Sequence, residues 1–460
     1  MEASPGNVAP RILSRAEHVV SRKNIDPDAL KVLYRLKNHG FVAYLVGGGV
    51  RDLLLERPPK DFDIGTSAHP QQVKKLFRNC FIVGRRFRLC HVRFGRKVIE
   101  VSTFRRQAEP EEGDTLIRRD NTFGSPEEDA FRRDFTVNAL FYDIATFSVI
   151  DWVGGLGDLQ ARVIRTIGEA GVRLREDPVR MLRAVALAAR LDFAIDRDTA
   201  EAIRALRGEI VRSSPARILE EFYKILRQGR SRETLRQLHE FGLLAYLLPE
   251  ADREIANGGA RLLDSLGRLD AYRKAGLAPP EALTNALLMG SLLVPLGVPL
   301  RRVAVPAGPH RRGEPHAPEE PPVDLAAEIA ALGGPEEDEP SGPANLVLPF
   351  ARRDLDRLRL ILLAQRRLRE PGGSPSARLA LRSRGYFDEA LRWLEIHGGE
   401  PGAEVAARWR VGEGGETDAS PEPAGAEGAP LPPPDDHRPR RRRRRRRRRP
   451  RLDAAGPLQG

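Results

Sequence analysis

Two carboxylates lie two positions apart in the segment Lys60-Asp61-Phe62-Asp63-Ile64. Side chains two apart on a β-strand point to the same face, and the apolar Phe62 and Ile64 alternate with the acids as in a half-buried strand. Two carboxylates on one face can share a pair of divalent cations. The pattern therefore predicts a Mg²⁺ site at Asp61 and Asp63, although an isolated Asp-x-Asp is also compatible with a solvated turn.

A third carboxylate would complete such a site, and the sequence offers two candidates. Glu100 lies in a strand-like segment in which the apolar Ile99 and Val101 flank it. Asp134 follows two arginines whose charges favour its ionised form, although it could equally be a helix N-cap. The sequence favours Asp134 and leaves Glu100 open.

A glycine-rich turn, Gly47-Gly48-Gly49-Val50-Arg51-Asp52, separates a strand-like apolar run from a helix-like one. Glycines in this position let the backbone approach a phosphate, and the helix that follows favours negative charge at its start. Gly48 and Arg51 are the candidate phosphate ligands, because a guanidinium can bind two phosphate oxygens at once. The spacing is not that of a P-loop, and a plain turn with an Arg51–Asp52 ion pair is the structural alternative.

The segment Arg132–Leu140 adds Arg133 and Asn138 as candidate ligands of a triphosphate and a ribose.

A further segment, Glu176–Ala184, reads as a helix start with a proline in its first turn. Asp177, Arg180 and Arg183 are spaced by three residues and share a helical face. A carboxylate accepts from an amino group and a guanidinium donates to a ring nitrogen, so this face could read the edge of a base without a nucleic-acid template. An ordinary surface ion pair is the alternative.

The elements that must position these residues change in character along the chain. Strand and helix patterns mix up to about Thr166, and helical periodicity dominates afterwards. The fold class expected is α+β, a small mixed-sheet head followed by an all-α neck, body and tail. The predicted divisions are a loosely ordered leader (1–27), the head (28–165), the neck (166–245), a helical body (246–400) with a proline-rich disordered insertion (304–344), an acidic linker (401–437) and an arginine-rich tail (438–460). Within the head, 107–125 is expected to be a mobile loop, and 135–144 to be helical.

The net charge of +12 is unevenly distributed. Twelve arginines and eight acids follow residue 410, which leaves +8 on the rest of the chain. A polyanion is therefore the expected partner, because a run such as Arg440–Arg449 binds phosphates by releasing counterions. The two cysteines, Cys80 and Cys90, lie among apolar residues and read as buried free thiols. With no apolar signal segment and no run long enough to span a bilayer, a soluble, cytoplasmic protein without a membrane contact is expected.

Taken together, the order and spacing of the four segments resemble the class II nucleotidyltransferases, the family of tRNA CCA-adding enzymes and bacterial poly(A) polymerases. The resemblance covers roughly residues 40–230. It implies a nucleotidyltransferase head in which Gly48 and Arg51 hold the triphosphate and Asp61 and Asp63 hold Mg²⁺. It further implies contacts of sugar and phosphates with Arg133, Asp134 and Asn138, and base reading by Asp177, Arg180 and Arg183.

Four stretches and the arginine-rich C-terminus look like the poly(A) polymerase branch. The stretches are Leu76–Cys80, Val83–Leu89, Arg119–Ser125 and Arg175–Arg183. That resemblance implies transfer of AMP from ATP to RNA 3′ ends, with RNA decay proteins as partners. Ala186 and Leu187 stand where the family usually has Arg-Phe, which puts part of the nucleotide pocket in question. CCA addition to tRNA is the alternative activity, and a catalytically silent RNA-binding factor is the alternative of another class.

Overall fold

The computed structural model describes residues 9–84, 88–106, 122–298, 348–370 and 374–411. The described chain up to Arg410 forms one compact unit. Most of the expected loop 107–125, the insertion 304–344, the linker after residue 411 and the tail 438–460 lie outside the described residues.

An eight-stranded sheet organises the first part of the chain, in the order β1-β8-β7-β2-β3-β6-β5-β4. Only β3 and β6 pair in parallel among these strands, and the other neighbours are antiparallel. The strands are β1 Arg11–Leu13, β2 Ala43–Val46, β3 Asp63–Thr66, β4 Cys80–Val83, β5 Leu89–Phe94, β6 Lys97–Thr103, β7 Leu140–Asp143 and β8 Ser148–Asp151.

In the part of the chain that the structure describes, five α-helices accompany this sheet: α1 Pro27–Asn38, α2 Gly48–Leu54, α3 Pro70–Leu76, α4 Pro126–Phe131 and α5 Gly155–Ala161. The carboxylate of Asp26 caps α1 by accepting from the backbone N–H of Asp28 at 2.8 Å, a typical N-cap bond. The buried Val32 and Leu36 of α1 belong to the same apolar core as Ile64 and Ile99 of the sheet. Helix α1 therefore covers one face of the sheet.

Helices dominate after residue 165, as the sequence predicts. A short parallel pair, β9 Val163–Ile164 and β10 Ala194–Ile195, lies at the start of this part. The helices are α6 Ala170–Glu176, α7 Val179–Leu191, α8 Arg197–Leu206, α9 Pro215–Arg227, α10 Ser231–Glu240, α11 Leu244–Leu247, α12 Pro249–Ala256, α13 Ala260–Lys274, α14 Asn285–Leu293, α15 Arg352–Arg369, α16 Pro375–Arg382, α17 Phe387–His397 and α18 Gly399–Val411. The predicted fold class, a mixed-sheet head followed by helices, is confirmed.

Three local expectations are wrong. Residues 11–27 are not a loose leader, because Arg11–Leu13 pairs with Asp151–Val149 at the sheet edge and Val20 and Ile25 are buried. Within 135–144, the expected helix is limited to one 3₁₀ turn, Thr136–Asn138, and Leu140–Asp143 is a strand. The chain after residue 400 continues as α18, in which Gly402 and Ala406 are buried.

Both cysteines are free and buried, as predicted. Among the described residues, no helix combines the length and the apolar character that a membrane crossing needs.

Candidate active site

A cleft of about 390 Å³ opens where the start of α2 and the start of β3 face helices α7 and α9. Eight of the ten residues predicted for the site line it: Gly48, Arg51, Asp61, Asp63, Arg133, Asp134, Asn138 and Arg183. Asp177 and Arg180 are not part of its wall. The fold thus brings together residues from segments that are more than one hundred positions apart in the chain.

The glycine turn forms the floor of the cleft and is tightly packed beneath it. Gly47 has φ of +73°, a left-handed conformation that favours glycine. A Cβ at Gly47 would lie 3.0 Å from Nη1 of Arg133, and one at Gly49 would lie 3.2 Å from the carbonyl oxygen of Asp61. Side chains at these positions would push the turn away from Arg133 and from the aspartates.

Arg51 is held from several sides and is almost fully buried. Its Nε and Nη2 donate to Oδ1 of Asp52 at 2.9 and 2.7 Å, and its Nη1 donates to Oδ1 of Asn138. The other Asp52 oxygen accepts from Nη2 of Arg190 at 2.7 Å. Burial lowers the pKa of Arg51, and the Asp52 charge opposes that change. Arg51 therefore fixes the position of Asn138 as well as lining the cleft.

Arg133 is anchored by Asp129 of α4. Its Nε and Nη2 donate to Oδ2 of Asp129 at 3.2 and 3.0 Å, and its Nη1 donates to the carbonyl oxygen of Asn138 at 3.1 Å. Burial would raise the pKa of Asp129, but the charges of Arg133 and Arg132 outweigh it and lower that pKa. The guanidinium also lies 5.1 Å from the ring centroid of Phe141, so Arg133 presents a fixed positive charge.

Asp61 and Asp63 both line the cleft, but they do not lie on one strand, contrary to what the sequence predicts. Strand β3 begins at Asp63, so Asp61 precedes the strand. Asp61 is 70% exposed and lies 3.7 Å from Nζ of Lys60. Burial raises the pKa of Asp63 to about 6, with contributions from Glu100 and Asp61, while Arg133 opposes the rise. Carboxylates that destabilise one another's charge are suited to a bound cation.

The two candidates for a third carboxylate have different surroundings. Glu100 is the Cα partner of Asp63 across β3 and β6, and its charge acts on Asp63. Asp134 accepts from the backbone N–H of Phe135 at 2.9 Å and from Nδ2 of Asn138 at 3.3 Å. Asp134 lines the cleft and helps to hold Asn138, whereas Glu100 lies beside Asp63 on the neighbouring strand, so both remain candidates for the third carboxylate.

The donor set fits Mg²⁺ better than a metal that needs a complete protein cage. No group of three His, Cys, Asp or Glu side chains is arranged to hold a metal ion within the ranges that the structure describes. Mg²⁺ usually takes one or two carboxylates together with waters and substrate phosphates. Asp61 and Asp63 supply such a pair on the wall of the cleft.

The residues predicted to read a base are only partly assembled. Oδ2 of Asp177 accepts from Nη2 of Arg217 at 2.8 Å, whereas its Oδ1 is buried and has no hydrogen-bond partner among the described residues. Nη1 of Arg180 donates to the carbonyl oxygen of Arg173 at 2.6 Å and to Glu176 at 3.0 Å. Arg183 alone of the three lines the cleft.

Several residues of the cleft wall were missed from the sequence. Glu221 of α9 accepts from Nη2 of Arg183 and from Nζ of Lys224, each at 3.0 Å. Arg190 follows Ala186 by four residues, one helical turn along the same face of α7, and both line the cleft. The spacing to Arg183 could have identified Arg190, but no local signal points to Glu221, which comes from another helix.

Comparison with known proteins places this geometry in a family. The Poly A polymerase head domain family matches residues 43–165, and the family described as the probable RNA and SrmB-binding site of polymerase A matches residues 192–255. The solved structure of the Bacillus stearothermophilus CCA-adding enzyme in complex with CTP is 30% identical, with a TM-score of 0.54 over 84% of this chain and 82% of that one. The chain belongs to the class II nucleotidyltransferases.

Curated relatives come from both branches of this family. Poly(A) polymerase I of Salmonella typhi is 52% identical over 264 residues, which are 55% of this chain and 57% of that protein. The CCA-adding enzyme of Geobacillus stearothermophilus is 40% identical over 232 residues, which are 49% of this chain and 56% of that protein. The chain thus spans somewhat more than half the length of the curated relatives that it matches.

Proposed function

We propose that the protein transfers AMP from ATP to the 3′-hydroxyl of RNA without a template and releases pyrophosphate, as a poly(A) polymerase does. The observation that carries the proposal is the convergence of the glycine turn, the Asp61/Asp63 pair and the Arg133–Asn138 unit on one cleft. The higher identity to Poly(A) polymerase I than to CCA-adding enzymes, 52% against 40%, supports the choice of branch.

Each part of the cleft has a role in this proposal. Gly48 lets the triphosphate approach the backbone, and Arg133 adds a fixed charge for its oxygens. Asn138, held between Arg51 and Asp134, lies on the cleft wall as the candidate contact of the sugar. Asp61 and Asp63 hold Mg²⁺, which when bound lowers the pKa of the attacking hydroxyl and neutralises charge on the triphosphate.

Base choice is assigned to Arg183, which lines the cleft, and to Asp177 and Arg180 near the start of α7. The unpartnered Oδ1 of Asp177 is a free acceptor for an amino group such as the one on adenine. Arg180 and Arg183 are the neighbouring donors, although Arg180 must first leave its bond to Glu176. A nucleotide that enters the cleft would therefore need a rearrangement at the start of α7 before its base is read.

The domain assignment remains part of the proposal. The head would cover 11–165, the neck 166–245, the body 246–411 and the basic tail 438–460. The tail would bind RNA through its phosphates without selecting a sequence. The protein would be located in the cytoplasm. Its substrates there would be RNA 3′ ends and ATP, and its partners would be RNA decay proteins.

The deciding experiment incubates the purified chain with a generic RNA and, separately, with a tRNA that lacks its 3′ end. ATP alone, CTP alone and the two nucleotides together are supplied with Mg²⁺. Long adenosine tracts from ATP on the generic RNA are the expected result. Asp61→Asn serves as the inactive control, since it removes one carboxylate of the pair while leaving an exposed side chain of similar size. Absence of AMP transfer by the parent protein would overturn the proposal.

CCA addition is the second candidate, because the match to the CCA-adding enzyme solved in complex with CTP covers 82% of that enzyme. Incorporation of two cytidines and one adenosine on the truncated tRNA, with no extension of the generic RNA, would favour it.

A further inference from the structure

A row of four side chains crosses the sheet from the candidate metal site to its edge. Asp63 of β3 is the Cα partner of Glu100 on β6, Glu100 is the partner of His91 on β5, and His91 is the partner of Phe81 on β4. Residues directly opposite on neighbouring strands project to the same face. Asp63, Glu100, His91 and Phe81 therefore lie in line on one face of the sheet, and we call them the edge row.

The contacts along the edge row agree with this register. The charge of Glu100 acts on Asp63, and Nε2 of His91 lies 3.5 Å from Oε1 of Glu100. The residues that alternate with the row, such as Val92 and Ile99, are buried in the core beneath α1. The face that carries the edge row is thus the one opposite α1.

The outer end of the edge row is an exposed aromatic ring. Phe81 is 54% exposed, on the strand that ends the sheet. The guanidinium of Arg93, two residues from His91 on β5, lies 6.0 Å from the centroid of this ring. The backbone of Arg93 is hydrogen-bonded to Asn79, but its guanidinium makes no hydrogen bond or ion pair within the described ranges of the chain, so its charge is available to an anion.

We infer that the edge row and Arg93 bind the single-stranded RNA segment that precedes the 3′ end, with a base stacked on Phe81 and a phosphate at Arg93. This inference rests on the proposed function. The two features are those that bind single-stranded RNA in general, a stacking ring and a cation for the backbone. The row also runs without interruption into the site where the 3′-hydroxyl would be placed.

The dimensions suit this ligand. Three strand spacings separate Asp63 from Phe81, about 14 Å at ~4.8 Å each. A stacked strand rises ~3.4 Å per nucleotide, so the row has room for about four nucleotides. Glu100 lies within the row, and His91 lies between Glu100 and the outer end.

The first test places the RNA directly. An adenosine oligonucleotide that carries one 4-thiouridine at the fourth position from its 3′ end is bound to the full chain and irradiated. Cross-linking to the peptide that contains Phe81 is expected, and it should move toward Asp63 when the label is at the second position. A cross-link that appears at neither place overturns the inference.

The second test uses exposed residues outside the candidate active site. Phe81→Ala and Arg93→Ala should each raise the KM for the RNA primer about five- to tenfold, at the low end of the effect of losing a base–aromatic contact because the ring is half exposed. The KM for ATP, and kcat at saturating primer, should stay within about twofold of the parent values.

Matched controls lie on the other side of the sheet. Tyr34 of α1 is 37% exposed, and the guanidinium of Arg35 lies 5.4 Å from the ring centroid of Phe77. Tyr34→Ala and Arg35→Ala remove a comparable ring and a comparable cation, and they should leave the primer KM unchanged. An equal effect of both pairs would overturn the inference, because the loss would then reflect nonspecific charge or stability.

Two further outcomes separate this inference from its competitors. If Phe81 instead packs against a second copy of the chain, Phe81→Ala will change the sedimentation coefficient and leave primer affinity unaltered. That result overturns the RNA assignment. If the parent chain transfers no AMP, the proposed function fails, yet the cross-link and the primer dissociation constant still decide whether RNA occupies the edge row.

Discussion

Asp52 is the point at which a buried charge can be tested most directly. It is 3% exposed and accepts both Arg51 bonds and the Arg190 bond. In Asp52→Ala the Arg51 guanidinium stays buried without its counter-charge. Removing one partner of a buried ion pair typically costs about 3–5 kcal/mol. Arg190 adds little to the loss, because its side chain is 35% exposed and can be hydrated.

The measurement is the urea dependence of unfolding, followed by fluorescence. Trp152 reports on the sheet, since it packs edge-on against Phe141 at 5.1 Å. The matched control is Glu201→Ala, which breaks the exposed Arg197–Glu201 pair; such pairs contribute only about 0–1 kcal/mol.

A second substitution makes the reasoning refutable. Replacing Arg51 by Met in the Asp52→Ala background removes the uncompensated charge, and this double variant should recover at least half of the lost stability. The argument fails if Asp52→Ala costs no more than Glu201→Ala, or if the double variant is less stable than the single one.

Three other predictions concern activity, pH and packing. Asp63→Asn should lower AMP transfer at least about 100-fold yet raise the urea midpoint, because the folded state disfavours the charged form of Asp63. Burial and Arg268 lower the pKa of His397 to about 3, so the unfolded chain, with a pKa of ~6.5, takes up the proton first. The contribution of His397 to the free energy of unfolding should be fully present above pH ~6.5 and should fall by up to about 1.4 kcal/mol per pH unit below it. His397→Gln should remove this part of the pH dependence in urea titrations at stepped pH. Gly65→Ala should cost about 1–3 kcal/mol by the same assay, because its Cβ would lie 2.6 Å from the Phe104 ring.

Local patterns were sufficient for much of the fold. Strands β5 and β6 and helices α7 to α10 follow from apolar periodicity, since each presents one side to the core. The segment 135–144 was misread because strand β7 is buried on both faces, and a continuous apolar run does not distinguish a strand from a helix. Residues 11–13 were missed because their pairing partner lies more than one hundred residues later.

Some residues of the candidate site could be predicted from the sequence, and others only from the structure. The glycine turn and the aspartates are short segments whose residue types suggest their chemistry. The closeness of Glu100 to Asp63 depends on the register of two strands, and Glu221 enters the cleft from a separate helix. These relations are tertiary, so spacing within one segment could not reveal them.

The pairing of Arg11–Leu13 with β8 has a consequence for synthesis of the protein on the ribosome. Strand β1 cannot pair with its neighbour until residue 151 has left the exit tunnel. Meanwhile the open margin of β8, once made, would be a template for a foreign strand. Pairing with β1 therefore replaces the β8 margin by an edge strand of only three residues, and very short edge strands offer little template to another chain.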